Sequence, residues 1–201
     1  RSADHTYVRF SVARQLARPR MFDMKAARTW GYDPSKAGQT NLTNSPVYDS
    51  EPAWSPDGSR VAFTSHYEGL GAEIYIMKAD GSGQTRLTTE KGYDGGPFFM
   101  KDGQHIIWRH FEENGMIANV WTMNLDGSEK KQITDFGAMS WAPYEHPSGE
   151  YILFASNKLG FENFEVFMVD AAGTKEPVRI TYADGFDGLP VPSPDGTQIA
   201  F

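Results

Sequence analysis

The stretch "EPAWSPDGSRVAFTS", Glu51 to Ser65, decides the fold, because the chain repeats its pattern of an apolar run, a Pro-Asp-Gly turn and a second apolar run. Weaker copies are "GPFFMKDGQHIIWR" at 96–109 and "APYEHPSGEYILFAS" at 142–156, and a shorter copy, "LPVPSPDGTQIAF", occupies 189–201. The turn glycines of the four copies are spaced 45, 46 and 47 residues apart and are Gly58, Gly103, Gly149 and Gly196. This spacing indicates a structural repeat.

A second marker has the same period. An aliphatic residue followed by threonine recurs at intervals of 45, 46 and 47 residues, at Leu42-Thr43, Leu87-Thr88, Ile133-Thr134 and Ile180-Thr181. Two independent markers with one period are hard to obtain by chance. The chain is therefore predicted to be a repeat protein with units of about 45 residues.

Each unit is predicted to contain four β-strands. The turn residues favour a hairpin, because Pro presets φ, Asp bonds back to the backbone and Gly accepts a positive φ. A third strand follows a polar loop, as in "EIYIMK" at 73–78, and a glycine turn leads to a fourth strand that ends in Leu/Ile-Thr. The predicted units are a partial one at 1–43, complete ones at 44–89, 90–135 and 136–182, and a truncated one at 183–201.

The third strands are apolar at successive positions, which predicts that both faces of each sheet are covered. Four-stranded sheets of this size that stack face to face are the blades of a β-propeller. An immunoglobulin-like sandwich is possible for one unit but does not explain the regular repeat. The expected fold is therefore all-β, an incomplete arc of a six- or seven-bladed propeller.

The charge of the chain is unevenly distributed. Residues 1–43 hold eight Lys or Arg and three Asp, a net charge of +5, so the remainder carries −12 of the total of −7. An acidic body disfavours nucleic acid as the main ligand. The basic stretch fits either an acidic partner or a solvated surface. No apolar run is long enough to cross a bilayer, and the first residues lack a signal-peptide pattern.

The motif "PAWSPDGSRVAFTS…EIYIMKADGSGQTRLT" resembles the blade repeat of the TolB-like propellers, a WD-like family found in bacterial envelope proteins. The similarity covers about residues 40–201. The chain departs from the pattern at two places: Glu145-His146-Pro147-Ser148 departs from Ser-Pro-Asp at one turn, and Pro192 replaces the aromatic residue found at Trp54 and Phe99. The resemblance implies a binding or scaffolding module that acts through protein contacts, in a periplasmic or envelope assembly.

The sequence contains no recognisable catalytic constellation. It lacks the Gly-x-Ser-x-Gly elbow, a phosphate-binding glycine loop and a His-Glu-x-x-His pair. His66 and His110 occupy matching places after the second strands, but the third unit has Asn157 there. A metal site on these histidines resembles that of propeller-type lyases but is not favoured, since equivalent blade positions are radially separated. No catalytic residue, metal or cofactor is predicted.

The axial opening is the better candidate site. In each unit, the residue three positions before the repeated proline is predicted to begin the innermost strand, and the innermost strands line the channel of a propeller. These residues are Asp49, Asp94, Ser140 and Asp187. Converging carboxylates suit a cation, a basic side chain or a peptide terminus. The alternative is that each Asp caps its own turn or bonds to the backbone of the adjacent blade.

Aromatic residues provide further candidate contacts. Tyr48, Tyr93 and Phe186 each precede a channel Asp and are either rim contacts or blade-packing residues. The first unit has about eight extra residues, in a loop that contains Trp30 and Tyr32. These two rings either contact a partner or fold back onto their own unit.

The leading hypothesis is therefore a non-enzymatic propeller subunit that binds partner proteins in a multi-subunit assembly, without binding nucleic acid or spanning a membrane. The alternative is a propeller enzyme or an enzyme accessory domain, such as a metal-dependent polysaccharide lyase or the propeller domain of a peptidase. An open arc is expected to be unstable unless a partner or further chain covers its terminal blade surfaces.

Overall fold

The computed structural model describes residues 41–67, 71–183 and 185–201. These residues form fourteen β-strands and no helix. In chain order the strands are β1 Tyr48–Trp54, β2 Arg60–Tyr67, β3 Gly71–Lys78, β4 Thr85–Arg86, β5 Tyr93–Phe99, β6 His105–Phe111, β7 Ala118–Asn124, β8 Lys131–Gln132, β9 Ser140–Glu145, β10 Tyr151–Ser156, β11 Glu165–Asp170, β12 Val178–Arg179, β13 Val191–Pro192 and β14 Ile199–Ala200.

The strands form three four-stranded antiparallel units and one two-stranded unit. The first two units are β1–β4 and β5–β8, which join into one sheet through a single parallel pairing of Ala72 with Tyr93. The third unit is the separate sheet β9–β12, and β13 pairs only with β14. Among the described residues the last unit does not pair with the first, so the fold is an open arc of propeller blades, as predicted. The predicted unit boundaries remain a prediction.

The repeated hairpin turn has the predicted chemistry. In the first blade, the amide of Gly58 donates to the carbonyl of Ser55 at 2.9 Å, and Gly58 has φ +71°. The side chain of Asp57 accepts from the amide of Ser59 at 3.0 Å. The second hairpin repeats the Gly bond, from Gly103 to the carbonyl of Met100. The sequence motif thus encodes the same turn in successive blades.

The hydrophobic core lies between the faces of neighbouring blades. One cluster joins residues of the first blade to Ile106, Trp108 and Met123 of the second, and another joins Met100, Ile107 and Val120 to residues of the third. On β3, Ile74 and Ile76 pack in the first of these clusters, whereas Met77 packs with Val61 and Phe63 on the opposite face. Burial on both faces confirms the interpretation of the third strands as covered on both sides.

In each unit a residue with positive φ directly precedes the repeated proline, and in the three complete blades this residue lies within the inner strand. The residues and their φ angles are Glu51 (+49°), Gly96 (+61°), Ala142 (+49°) and Leu189 (+55°). In the three complete blades the strand register shifts at this place, as in a β-bulge. Only Gly96 has a residue type that favours this conformation, so the other three positions store backbone strain of roughly 1–3 kcal/mol each.

The start of an inner strand at Asp187 remains a prediction. The last inner strand begins at Val191, four residues later. In the complete blades the corresponding residues pair with a residue sixteen positions further on, as Asp49 does with Ser65. For Asp187 the residue at that separation lies past Phe201, so its pairing stays a prediction.

The blades have two chemically different ends. The inner strands begin where the second strands end, since Asp49 pairs with Ser65 and Asp94 with His110. We call this the loop end; it carries the connections at 87–92, 112–117, 157–164 and 182–187. The opposite turn end carries the short glycine turns within each blade, such as 55–59 and 79–84.

Candidate functional site

The channel carboxylates that lie in complete blades are anchored to their own blades. Oδ1 of Asp49 accepts from the hydroxyl of Ser65 at 2.6 Å. Oδ1 of Asp94 accepts from Nε1 of Trp108 at 2.6 Å and contacts Nδ1 of His110 at 2.9 Å. Both Asp residues are almost fully buried, with 4% and 1% exposure. These bonds support a structural role for one oxygen of each carboxylate.

The second oxygen of each predicted channel Asp is uncommitted. Oδ2 of Asp49, Asp94 and Asp187 is buried and accepts no hydrogen bond from the described residues. At the fourth equivalent position the hydroxyl of Ser140, which is fully buried, donates to that of Ser156 at 3.3 Å. A buried, unpaired carboxylate oxygen costs free energy, so its recurrence at three equivalent positions fits a role beyond capping. Whether the four residues converge on one opening remains a prediction.

The side-chain hydrogen bonds of the two equivalent histidines stay within their own blades. Nε2 of His66 lies 3.5 Å from the hydroxyl of Ser50, and His110 bonds to Asp94. The bond to Asp94 raises the pKa of His110 above its ordinary value, although burial opposes the change. At the equivalent place in the third blade, Oδ1 of Asn157 accepts from the amide of Met139 at 2.8 Å. No group of three or more His, Asp or Glu side chains among the described residues is placed to hold a metal ion.

The predicted rim aromatics divide into two environments. Tyr48 and Phe186 are 46% and 56% exposed, while Tyr93 is half-buried. The hydroxyl of Tyr93 donates to Oε2 of Glu51 at 3.2 Å, and its ring packs edge-on against Phe111. Burial, followed by the charge of Glu51, raises the pKa of Tyr93 to about 12. Tyr93 therefore packs between blades, while Tyr48 and Phe186 present surface at the loop end.

Glu51 links the first blade to the second, which the sequence did not indicate. Its Oε1 accepts from Nη2 of Arg109 at 2.5 Å, and its Oε2 accepts from the amide of Gly96 at 2.8 Å and the hydroxyl of Thr64 at 3.1 Å. Burial raises the pKa of Glu51, but the charge of Arg109 and the hydrogen bonds outweigh it, so the pKa lies below its ordinary value. The strained φ of Glu51 thus coincides with a set of contacts between blades.

The repeated threonine marker is the centre of a buried network within each blade. In the first blade Thr88 donates to Oε2 of Glu73 at 2.7 Å and accepts from the amide of Ile74 at 2.9 Å. Nη2 of Arg86 donates to Oε1 of Glu73 at 2.5 Å, and its Nε donates to the carbonyl of Thr88 at 2.6 Å. The third blade repeats the four contacts through Glu165, Arg179, Thr181 and Val166.

The second blade makes three of these four contacts, and it makes them without charged side chains. Thr134 donates to Oδ1 of Asn119 at 3.2 Å and accepts from the amide of Val120 at 2.9 Å, while Nε2 of Gln132 donates to the carbonyl of Thr134 at 2.7 Å. Both charged residues are therefore replaced together. The network fastens the third strand to the outer strand and gives the Leu/Ile-Thr marker a structural explanation.

A cleft of about 620 Å³ opens at the loop end between the second and third blades. It is lined by aromatic, acidic and glycine residues and by Arg109; the residues are Gly92, Tyr93, Arg109, Phe111, Glu112, Glu113, Gly115 and Trp141. The ring of Trp141 lies 5.4 Å from that of Phe164, which fixes it at the start of the third blade. None of the predicted channel carboxylates lines this cleft.

Exposed apolar side chains gather at the loop end. They are 46–71% exposed and are Tyr48, Met116, Leu159, Phe161, Tyr182 and Phe186. The remaining exposed large apolar residues among the described ones are Phe98, Val178 and Val191 on strands, Leu189 just before the last inner strand, and Phe201. None of them lies in a glycine turn of the turn end. Trp30 and Tyr32 lie outside the described residues. No helix in the described part of the chain is long and apolar enough to cross a membrane.

The comparisons with known proteins agree with the fold. The family model described as TolB beta propeller domain matches residues 32–115. TolB from Acinetobacter baumannii is 25% identical with a TM-score of 0.67, over 79% of this chain and 38% of its own. A putative TolB from Agrobacterium tumefaciens is 28% identical with a TM-score of 0.66, over 82% of this chain and 61% of its own.

A curated relative in Bacillus subtilis, the uncharacterized peptidase YuxL, is 36% identical over 59 residues. This match covers 29% of the chain and 9% of the relative. The chain thus spans less than two thirds of each of these relatives. The repeat, the four-stranded blades and these matches show that the chain has a β-propeller fold like that of TolB, and that its residues 32–115 match the TolB beta propeller domain.

Proposed function

We propose that this protein is a non-catalytic propeller subunit that binds partner proteins through its loop end. The observation that carries the proposal is the asymmetry between the two ends of the blades. The six exposed apolar side chains at the loop end contrast with the polar glycine turns at the turn end. Exposed apolar side chains gathered on one surface are typical of protein interaction sites, and aromatic residues and Met are enriched in such interfaces.

We place this subunit in a periplasmic or other cell-envelope assembly. The support is the match to the TolB beta propeller domain and the likeness to two TolB structures. The channel residues Asp49, Asp94, Ser140 and Asp187 are proposed to contribute to the same end of the molecule. The uncommitted carboxylate oxygens of the three Asp residues favour a partner group that is positively charged or donates hydrogen bonds.

The test compares matched apolar substitutions at the loop end and elsewhere. Leu159 and Phe161 are 52% and 63% exposed, so replacing both with Ser removes apolar contact area without opening the core. Val178→Ser is the control, because Val178 is 54% exposed but lies on the edge strand β12. The tagged intact protein is captured from envelope extracts, and its stoichiometric partners are quantified by mass spectrometry. The loop-end variant is expected to lose partners that the control retains; equal retention by both contradicts the proposal.

The inserted loop of the first unit is a second proposed contact. Trp30→Ala and Tyr32→Ala together are expected to weaken partner retention in the same capture experiment. Unchanged retention would remove this loop from the interface while leaving the loop-end proposal to its own test.

A peptidase accessory domain is the second candidate, which the printed name of the Bacillus subtilis relative favours. This sequence has no Gly-x-Ser-x-Gly elbow, so such an activity needs catalytic residues from elsewhere in the protein. Hydrolysis of aminoacyl and short peptide amides by the intact protein, abolished by a serine-directed inhibitor, would support this candidate. Absence of hydrolysis together with loop-end partner capture would favour the scaffold.

A further inference from the structure

The cleft between the second and third blades has aromatic walls. Phe111 and Trp141 line it together with Tyr93, and the rings of Tyr93 and Phe111 meet edge to face with centroids 5.9 Å apart. The guanidinium of Arg109 lies 5.5 Å from the centroid of Tyr93, so one aromatic wall already has a cationic neighbour. Phe111 and Trp141 provide further aromatic surface. Aromatic faces attract cations, and more strongly where water is excluded.

The charges around the cleft favour a positively charged ligand. Arg109 is paired with Glu51 at 2.5 Å, and Lys91 is paired with Glu113 at 3.1 Å. Glu112 makes a side-chain contact with Asn114 at 3.3 Å but no ion pair with a described residue. The cations near the cleft are therefore already matched, whereas one carboxylate at its edge is not. The net charge around the cleft is therefore negative, as is the net charge of the residues after position 43.

We propose that this cleft binds a Lys or Arg side chain of a protein partner, held between the aromatic walls and the carboxylate of Glu112, with Glu113, which is paired with Lys91, beside it. The inference rests on the proposed function, because it names the chemistry of a partner that docks at the loop end. The exposed Met116 belongs to the same connection as Glu112 and Glu113, so an apolar neighbour of the basic residue would find a contact beside the cleft. The expected recognition element is thus a basic residue within an apolar segment.

The test titrates the intact protein, labelled on its Trp indoles, with N-acetyl-lysine methylamide, N-acetyl-arginine methylamide and the uncharged N-acetyl-norleucine methylamide. The indole resonance of Trp141, assigned by Trp141→Phe, reports on the cleft. Both cationic probes are expected to shift this resonance with a dissociation constant on the order of 1 mM, and norleucine is not. Glu112→Gln with Glu113→Gln is expected to weaken binding by about fivefold. Glu150→Gln, an exposed change at the turn end, is the matched control and leaves binding unchanged.

Two results of the titration of the unaltered protein would overturn the inference. Equal shifts with norleucine would show an apolar site without charge selection, and no shift of Trp141 with any probe would show that the cleft does not bind basic side chains. Neither result bears on the partner capture by the Leu159 and Phe161 variant, which decides the proposed function separately. Selective binding that survives the double Gln substitution would assign the cation to another site and equally contradict the inference.

Discussion

Arg86→Gln tests how the buried network of the first blade is held together. Glu73 is 1% exposed and Arg86 28%, so the substitution leaves an almost fully buried carboxylate without its cation. Gln at this position still reaches the carbonyl of Thr88, as Gln132 does with Thr134 in the second blade. The loss is therefore the ion pair alone. Because the pair is partly solvated, we expect the substitution to lower the free energy of unfolding of this blade by about 2 kcal/mol. This value lies between those for exposed and for buried ion pairs.

The second blade supplies the matched control. Glu73→Asn combined with Arg86→Gln reproduces the neutral Asn119 and Gln132 set. This double variant removes the buried charge together with its partner, so its free energy of unfolding is expected to fall by less than about 1 kcal/mol. The two variants thus separate the cost of an unpaired carboxylate from the value of the pair.

The assay is amide hydrogen exchange of the intact protein, followed in peptides that cover β3 and β4. A loss of 2 kcal/mol corresponds to exchange about 30 times faster in this blade. Peptides covering β11 and β12, which retain Glu165 and Arg179, are the internal reference. Equal exchange in the single and double variants, or no change in the single variant, would refute the reasoning.

The effect of Arg86→Gln also depends on pH. Burial raises the pKa of Glu73 above 4.5, and the bonds from Thr88 and Arg86 offset only part of the rise. A raised carboxyl pKa means that the folded state binds more protons than the unfolded state, so stability falls as the pH rises from 4.5 through the folded pKa. Loss of the Arg86 charge raises this pKa further. The defect of the single variant should therefore be smaller at pH 5 than at pH 8.

Three further predictions follow from named residues. Ala142→Gly should raise the free energy of unfolding by about 0.5–1 kcal/mol in urea titrations because it relieves a positive φ, whereas Glu51→Gly should lower it because the contacts of Glu51 with Arg109 and Gly96 are lost. The hydroxyl of Ser55 and the amide and hydroxyl of Ser59 lower the pKa of Asp57 to about 2, so an NMR titration of Asp57 should give a midpoint near 2. Ser55→Ala should move this midpoint towards 3.8, and an unchanged midpoint would contradict the hydrogen bond from Ser55. The bond to Asp94 raises the pKa of His110 above 6.5. The bond therefore stabilises the folded state at low pH, and this stabilisation is lost as the pH rises through the pKa of His110 in the folded state. Asp94→Asn should lower the midpoint of the NMR titration of His110.

The fold was predictable because its signals are local and repeated. The Pro-Asp-Gly turns, the apolar third strands and the common period are sufficient to place four strands in each unit, and the placement of Asp49, Asp94 and Ser140 at the loop end follows from the start of each inner strand. The expectation for Asp187 remains a prediction, because the residue sixteen positions away that would pair with it lies past Phe201.

The contacts between side chains were harder to predict. The pairing of Glu73 with Arg86 and of Glu165 with Arg179 had a signal in the sequence, since the same residue types recur at the same places before the threonine marker. The link from Glu51 to Arg109 had none, because the positive φ that directs Glu51 is not evident from a glutamate, and its partner is 58 residues away. The apolar surface of the loop end also required the structure, because exposure of a loop residue is not determined by its type.

Site-specific photo-cross-linking in living cells tests the central claim most directly. A benzoylphenylalanine residue is introduced at Phe161 or Met116 of the loop end and, as controls, at Gln104 or Glu129 of the turn end, all of them exposed or near the surface. The account predicts covalent adducts with a defined partner protein from the loop-end positions and none from the turn-end positions. Adducts that form equally at both ends, or only at the turn end, would contradict it.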